Sequence, residues 1–324
     1  MSTSGPVVIL ADDFGSELKK ALAHALPDDA SIVHGLEAPG AGNAQYLVTW
    51  AVDVGVEAQS GIDGLRGIVK LDSGPGQISD PPGGSGPFVG VASSPALVSV
   101  AEHTVMLILA VFKRLGRAIE ETRSRKWAEG ITPILTNQEE YSYNWVGLEK
   151  FEAVTGKTVG LVGIGRIGME VARMLVALGC DVVYTKRTRL GEAVELDLGV
   201  RYLPFADLLE QSHCVSLHNR FDSDTERMMG AAQFAAMPVG SFFVNTARGR
   251  LVDEVALVDA LTSGHLAGAA LDVAWYEPPL PESPLWEAPN LLLTPHTAGI
   301  PIDVSLMEEL AKAGEIISTH WAGQ

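Results

Sequence analysis

Short apolar runs bounded by glycine, proline or charge recur along this chain, and stretches with apolar residues at helical spacing lie between them. Val7 to Ala11, Tyr46 to Val52 and Gly67 to Leu71 read as strands, with Ser16 to Leu26 as a helix among them. From Thr158 to Val162 a buried parallel strand is predicted. Ile167, Val171, Met174, Leu175 and Leu178 then recur as one helix face until Gly179. The alternation continues with strands at Asp181 to Thr185, His213 to His218, Ser241 to Asn245, Ala269 to Val273 and Leu291 to Thr294, and a helix from Asp253 to Ser263. Such alternation predicts an α/β chain with a doubly wound parallel sheet in its second part and a smaller α/β unit before it. Ser99-Val100-Ala101-Glu102 matches a capping box and predicts a helix from there to about Leu115. That helix is apolar on every side from Val105 to Phe112, so it should be buried, with Lys113, Arg114 and Arg117 marking its exit to solvent. Val304 to Ile317 is amphipathic and is expected to cross back to the first unit.

Composition narrows the class. A chain of 324 residues, 47% of them hydrophobic, exceeds one ordinary core. We expect residues 1–99 with 297–324 to form one domain and 100–296 the other. A formal charge of −17 argues against nucleic-acid and anionic-membrane partners, so any anion site must be local. Cys180 and Cys214 both fall in apolar strand regions and read as free thiols rather than a disulfide or metal pair; no metal site is expected. Val105 to Phe112 is too short to span a bilayer, and the N-terminus has no secretory pattern, which fits a cytoplasmic setting. Asp80 to Pro87 is a breaker cluster expected as a solvated loop. Trp127 to Lys150 carries Tyr141, Tyr143 and Trp145 in an irregular segment, which would either cover its own domain or contact another subunit.

Gly163-Ile164-Gly165-Arg166-Ile167-Gly168 joins the Thr158 strand to the following helix. In that context Gly163 permits the tight turn, Gly165 the close approach of a pyrophosphate, and Gly168 the packing of helix on strand, while the helix N-terminus supplies amide donors. The motif predicts a dinucleotide site.

Four segments together resemble the D-isomer-specific 2-hydroxyacid dehydrogenase family: Val100-Ala101-Glu102-His103-Thr104, the glycine motif, Val244-Asn245-Thr246-Ala247-Arg248-Gly249, and Leu271-Asp272-Val273 through Glu277-Pro278 to Thr294-Pro295-His296. The resemblance implies a Rossmann domain beside a flavodoxin-like substrate domain, hinges near Pro95 to Ser99 and Thr297 to Pro301, and a homodimer. It implies a catalytic triple of Arg248, Glu277 and His296. His296 would act as general acid, Glu277 would hold the ring by its other nitrogen and favour the protonated form, and Arg248 offers a planar fork for the carboxylate and carbonyl of a 2-oxo acid. It also implies cofactor contacts from Arg166, Ile167, His218, Thr246 and Ala247. Asp272 matches the position that binds the nicotinamide carboxamide; an Asp ending a strand could equally cap the next turn.

The end of the second nucleotide-fold strand, Val182-Val183-Tyr184 into Thr185-Lys186-Arg187-Thr188-Arg189, lacks the carboxylate that grips ribose hydroxyls in NAD-preferring relatives. Lys186 and Arg187, with Arg189 just beyond, could clasp a 2′-phosphate, while Thr185 offers a hydroxyl. We therefore expect NADP(H) to be preferred, with NAD(H) as the alternative. The family's substrate loop corresponds to Lys70-Leu71-Asp72-Ser73-Gly74-Pro75-Gly76. Lys70 and the amides of Ser73 and Gly74 would bind the substrate carboxylate, and Asp72 stands where a glycine is normal, either turned to solvent or facing an unusual substrate. Trp50, Trp275 and Tyr276 are candidate pocket walls. The expected activity is hydride transfer between NAD(P)H and a small 2-oxo or 2-hydroxy acid, the glutamate at 277 disfavouring formate. The alternative is a dinucleotide-sensing regulatory protein of the same fold.

Overall fold

The computed structural model describes residues 5–72, 78–79 and 86–323. They divide into two compact units, Met1–Ser99 with Gly299–Gln324, and Val100–Ala298.

In the smaller unit, β1 (Val7–Leu10), α1 (Ser16–Ala25), β2 (Ser31–His34), β3 (Tyr46–Thr49), α2 (Val56–Ser60), β4 (Gly67–Leu71) and β5 (Phe88–Ala92) build a five-stranded sheet. Its order is β2-β1-β3-β4-β5 and every pairing is parallel, the flavodoxin-like arrangement. β3 is buried on both faces, which explains the continuous apolar run Tyr46 to Val48. The loop beyond it is held by the Asp12 carboxylate, which accepts from the amides of Trp50 at 2.6 Å and Ala51 at 2.9 Å.

The larger unit contains α4 (Leu115–Ser124), β6 (Thr158–Val162), α5 (Arg166–Ala177), β7 (Asp181–Thr185), α6 (Glu192–Leu198), β8 (Val200–Tyr202), α7 (Phe205–Gln211), β9 (Cys214–Leu217), α8 (Ala231–Ala236), β10 (Ser241–Asn245), α9 (Glu254–Thr262), β11 (Leu266–Leu271) and β12 (Leu291–Leu293); α3 (Pro95–Phe112) enters it. The seven strands run β12-β11-β10-β9-β6-β7-β8, all parallel. The order reverses between β6 and β9, where an open α/β sheet offers its crevice at the carboxyl ends of the strands. Two apolar clusters flank this sheet. One gathers Val105, Ile108, Phe112, Leu161, Val171 and Leu175, and the other Leu208, Phe234, Phe243, Leu257 and Leu261.

The last helix, α10 (Ile302–Ala322), belongs to the smaller unit, where Leu306, Leu310, Ala313 and Ile317 join its core. It lies close on α1 because Gly314 has no side chain; a Cβ there would sit 2.6 Å from that of Ala25.

Three expectations are corrected. Ser99 does not cap a helix, because α3 already starts at Pro95; Ser94 performs that task, its Oγ accepting from the Ala96 amide at 3.0 Å. Proline at the first turn and serine just before it are a start signal that outranks the Ser-x-x-Glu match. α3 is consequently 18 residues long and apolar enough by length and composition to cross a bilayer, yet Ala101, Thr104, Leu107, Ile108, Val111 and Phe112 are buried within the protein, as in a core helix. Arg114 does not exit to solvent. It takes a left-handed turn, places its guanidinium 5.7 Å over the Phe242 ring and donates to the Ala267 carbonyl, and burial lowers its pKa. Residues 80–85 of the breaker cluster lie outside the described residues.

Candidate active site

The glycine turn is built as its spacing requires. Gly163 has φ +85°, and a Cβ there would lie 2.7 Å from the Asn219 amide nitrogen, so only glycine fits. Gly168 packs its bare Cα towards the Gly163 carbonyl, where a Cβ would stand at 3.1 Å. Gly165 has open space at its Cβ position and precedes the first turn of α5. Close packing on two sides and room at the middle glycine fit a pyrophosphate seated on the helix N-terminus. Arg166 is exposed and Ile167 half-buried beside it. His218 follows β9 beside this turn, its Nε2 2.9 Å from Ser216 Oγ, and burial pushes its pKa down to about 4.

At the end of β7, Thr185 is half-buried and Lys186 and Arg187 are exposed. Arg187 lies 3.8 Å from Asp222. Arg189 is not available with them: it forms a two-pronged pair with Glu195 at 2.8 and 2.7 Å, and Tyr184 donates to the same carboxylate at 2.6 Å. Those hydrogen bonds, Arg189's first and Tyr184's second, hold Glu195 down to about 2. No spacing rule announces Glu195 as a partner, because α6 carries it back only once the loop has turned.

Beyond β10, the buried Asn245 side chain shapes the loop that carries Arg248. Its carbonyl oxygen accepts from the Ala247 amide at 2.9 Å and its amide donates to the Arg248 carbonyl at 2.9 Å. Thr246 is buried and Ala247 half-buried, while Arg248 is exposed. Gly249 follows because a Cβ would fall 2.1 Å from the Ala274 carbonyl carbon. Beyond β11 and β12 come Glu277 and His296. The His296 Nδ1 lies 2.6 Å from Glu277 Oε2, and Glu277 Oε1 accepts from the Ala274 amide at 3.2 Å. The dyad lines a cavity of about 490 Å³ with Pro278, Trp286 and Leu293 among its walls.

Asp272 is buried, and its oxygens take the Thr294 hydroxyl at 2.5 Å and the amides of Thr297 and Ala298 at 3.0 and 2.9 Å. As it stands it caps the turn after β12, one of the two roles its position allows. Those bonds are also why Thr297 and Ala298 belong to the larger unit. The guanidinium groups of Arg227 and Arg250 lie 4.8 and 5.6 Å from the Trp275 ring, whose N–H donates to the Val252 carbonyl at 2.6 Å; Tyr276 is exposed. In the smaller unit Lys70 is half-buried on β4, Asp72 follows that strand, and Trp50 packs against the core beside Phe14. Ser73 and Gly74 lie outside the described residues.

The glycine turn, Thr185, His218, Asn245, Asp272 and His296 thus all stand at the carboxyl ends of strands of one parallel sheet, where such sheets bind nucleotides and do chemistry. Residues 105–298 match the family model described as D-isomer specific 2-hydroxyacid dehydrogenase, NAD binding domain. The chain belongs to that family. Among similar proteins, a glyoxylate reductase of Korarchaeum cryptofilum is 36% identical over 210 residues, 64% of this chain and 59% of that protein. A D-3-phosphoglycerate dehydrogenase of Mycobacterium leprae is 30% identical over 96% of this chain and 58% of its own length. A crystal structure from Pyrococcus horikoshii superposes with a TM-score of 0.68 at 27% identity, covering 96% of this chain and 90% of that one. The chain spans about three fifths of the length of these two sequence relatives.

Proposed function

We propose that this protein reduces a small 2-oxo acid to the 2-hydroxy acid, and runs the reverse oxidation, with a nicotinamide dinucleotide. The observation that carries the reading is the 2.6 Å contact between His296 and Glu277 beyond the carboxyl ends of strands in the sheet whose β6 carries the glycine turn. Bound there, the nicotinamide supplies or accepts the hydride. Glu277 accepts a hydrogen bond from the Nδ1–H of His296, which leaves Nε2 as the atom that gives a proton to the forming hydroxyl and recovers it in the oxidation. Arg248 supplies the cation that binds the carboxylate and polarises the carbonyl; Asn245 holds the Arg248 backbone and the Ala247 carbonyl accepts from its guanidinium at 2.6 Å. Lys70, Ser73 and Gly74 of the smaller unit are assigned to the substrate carboxylate. Thr185, Lys186 and Arg187 are assigned to the adenosine ribose and its 2′-phosphate, with Arg166, Ile167, His218, Thr246, Ala247 and Asp272 completing the cofactor contacts.

The absence of a carboxylate at the end of β7 supports NADP(H) over NAD(H). The exposed arm, with Leu135, Tyr141 and Tyr143 turned outward, supports a homodimer, and the free cysteines support a reducing, cytoplasmic setting. The test is a panel of glyoxylate, hydroxypyruvate, pyruvate and bulkier 2-oxo acids, each with NADH and NADPH. Turnover of at least one acid with the higher specificity constant for NADPH is expected. No turnover with any acid refutes the activity, and a clear NADH preference refutes the cofactor choice.

A further inference from the structure

Four buried polar side chains of the larger unit, Thr104, Asn245, Thr246 and Asp272, lie at or next to the two loops that carry Arg248 and His296. Two consecutive residues of α3 reach these loops. His103 places Nε2 3.2 Å from Thr294 Oγ1 and 3.5 Å from Asp272 Oδ1. Thr104 Oγ1 is 2.8 Å from Thr246 Oγ1.

Proton accounting fixes the direction of each bond. The Thr294 hydroxyl donates to Asp272 Oδ1 at 2.5 Å, so its oxygen is left to accept, and His103 carries its proton on Nε2 to meet it. The Thr104 hydroxyl donates to the Val100 carbonyl at 2.8 Å, so it accepts from Thr246. One chain of donors therefore runs from His103 through Thr294 to Asp272, and another from Thr246 through Thr104 into the helix backbone.

Each chain includes a residue two positions from the group it serves. Thr246 precedes Arg248 by two positions, and Thr294 precedes His296 by two. His296 itself has φ +55°, a left-handed conformation that costs a residue with a side chain on the order of 1 kcal/mol and persists only where the surroundings hold it. Asp272 holds the backbone on both sides of it, through Thr294 before and Thr297 and Ala298 after. Every one of those donors comes from the held loop itself. His103 is the group that brings in a separate, rigid element.

We propose that His103 and Thr104 are positioning residues: a brace on α3 that fixes the His296 loop and the Arg248 loop in one frame, so that proton donor and cation stay in register on the substrate. The proposal rests on the oxo acid reductase reading for its kinetic consequence, and on geometry alone for its structural one. Misplacing a reacting group by about 1 Å costs on the order of 100-fold in rate.

The experiment compares the full chain with His103→Ala, His103→Gln and Thr104→Val. Hydrogen exchange at the amides of Thr297 and Ala298 reads the brace directly. We expect exchange there about tenfold faster in His103→Ala and close to normal in His103→Gln, which keeps a donor, with strand β6 unchanged in both. Steady-state kinetics should show kcat down about 30- to 100-fold in His103→Ala, KM for the cofactor within about twofold, and most of kcat restored by His103→Gln. Thr104→Val, of nearly equal shape, should raise KM for the oxo acid about tenfold. Unchanged exchange in His103→Ala overturns the brace, as does an equal loss of kcat and cofactor affinity in both His103 variants. If the wild-type protein turns over no oxo acid, the activity reading fails, and the exchange result still decides the brace.

Discussion

His218 makes stability depend on pH in a window set by its burial. The residue packs against the glycine turn, where a Cβ on Gly168 would be 3.7 Å from the His218 Cβ, and its pKa is lowered from 6.5 to about 4. The folded state therefore resists protonation while the unfolded chain accepts it. A group of this kind contributes stability in full above the unfolded pKa, and the contribution is lost as pH falls from about 6.5 towards 4. A lowering of that size corresponds to about 3 kcal/mol in all, of which about 1 kcal/mol is lost between pH 8 and 5.5. That range stays above the isoelectric point of about 4.8, so solubility does not limit the measurement. Urea unfolding at steps from pH 8 to 5.5, on the wild type and on His218→Gln, isolates the share: Gln retains a donor for Ser216 and does not titrate. The wild type should lose about 1 kcal/mol more than the variant across the range. Parallel pH dependences of the two proteins would refute the reasoning.

Gly163→Ala has to abandon φ +85° or meet the backbone of Asn219 at 2.7 Å, so it should lose a few kcal/mol of stability and most nucleotide binding, read by thermal melts with and without NADPH. Gly249→Ala would drive a methyl into the Ala274 carbonyl at 2.1 Å, and it should push apart the segments bearing Arg248 and Glu277; turnover should fall at least about 100-fold while the nucleotide is still bound. His296→Ala should lose about 100- to 10,000-fold in kcat with cofactor affinity retained, the range for removing a general acid. Glu277→Gln keeps the shape and removes the charge beside Nδ1, so a smaller fall of about 100-fold in kcat is expected by steady-state assay.

Much of the fold was legible because its signals are local. A parallel strand covered on both faces is largely apolar, so β4, β6, β7 and β10 show as runs, with the ends found as expected. Gly163 and Gly168 were legible for a related reason, since no other residue suits those turns. The short helices α6, α7 and α8 were not legible: at six or seven residues they hold too few turns for a period to show, and packing on the sheet makes them helical. The start of α3 was misplaced because two start signals compete within six residues, and only the chain's path decides between them.

The sequence by itself determined the parallel sheet, the phosphate turn and the order of Arg248, Glu277 and His296, because each depends on residue type at a fixed spacing. The tertiary structure alone decided which polar groups meet across large separations in the chain. It turned Asp272 onto the His296 loop, 25 positions on, and set His103 of α3 beside Thr294, 191 positions later. A hydrogen bond needs its partners within about 3 Å and correctly aimed, and no local pattern in the chain carries that requirement.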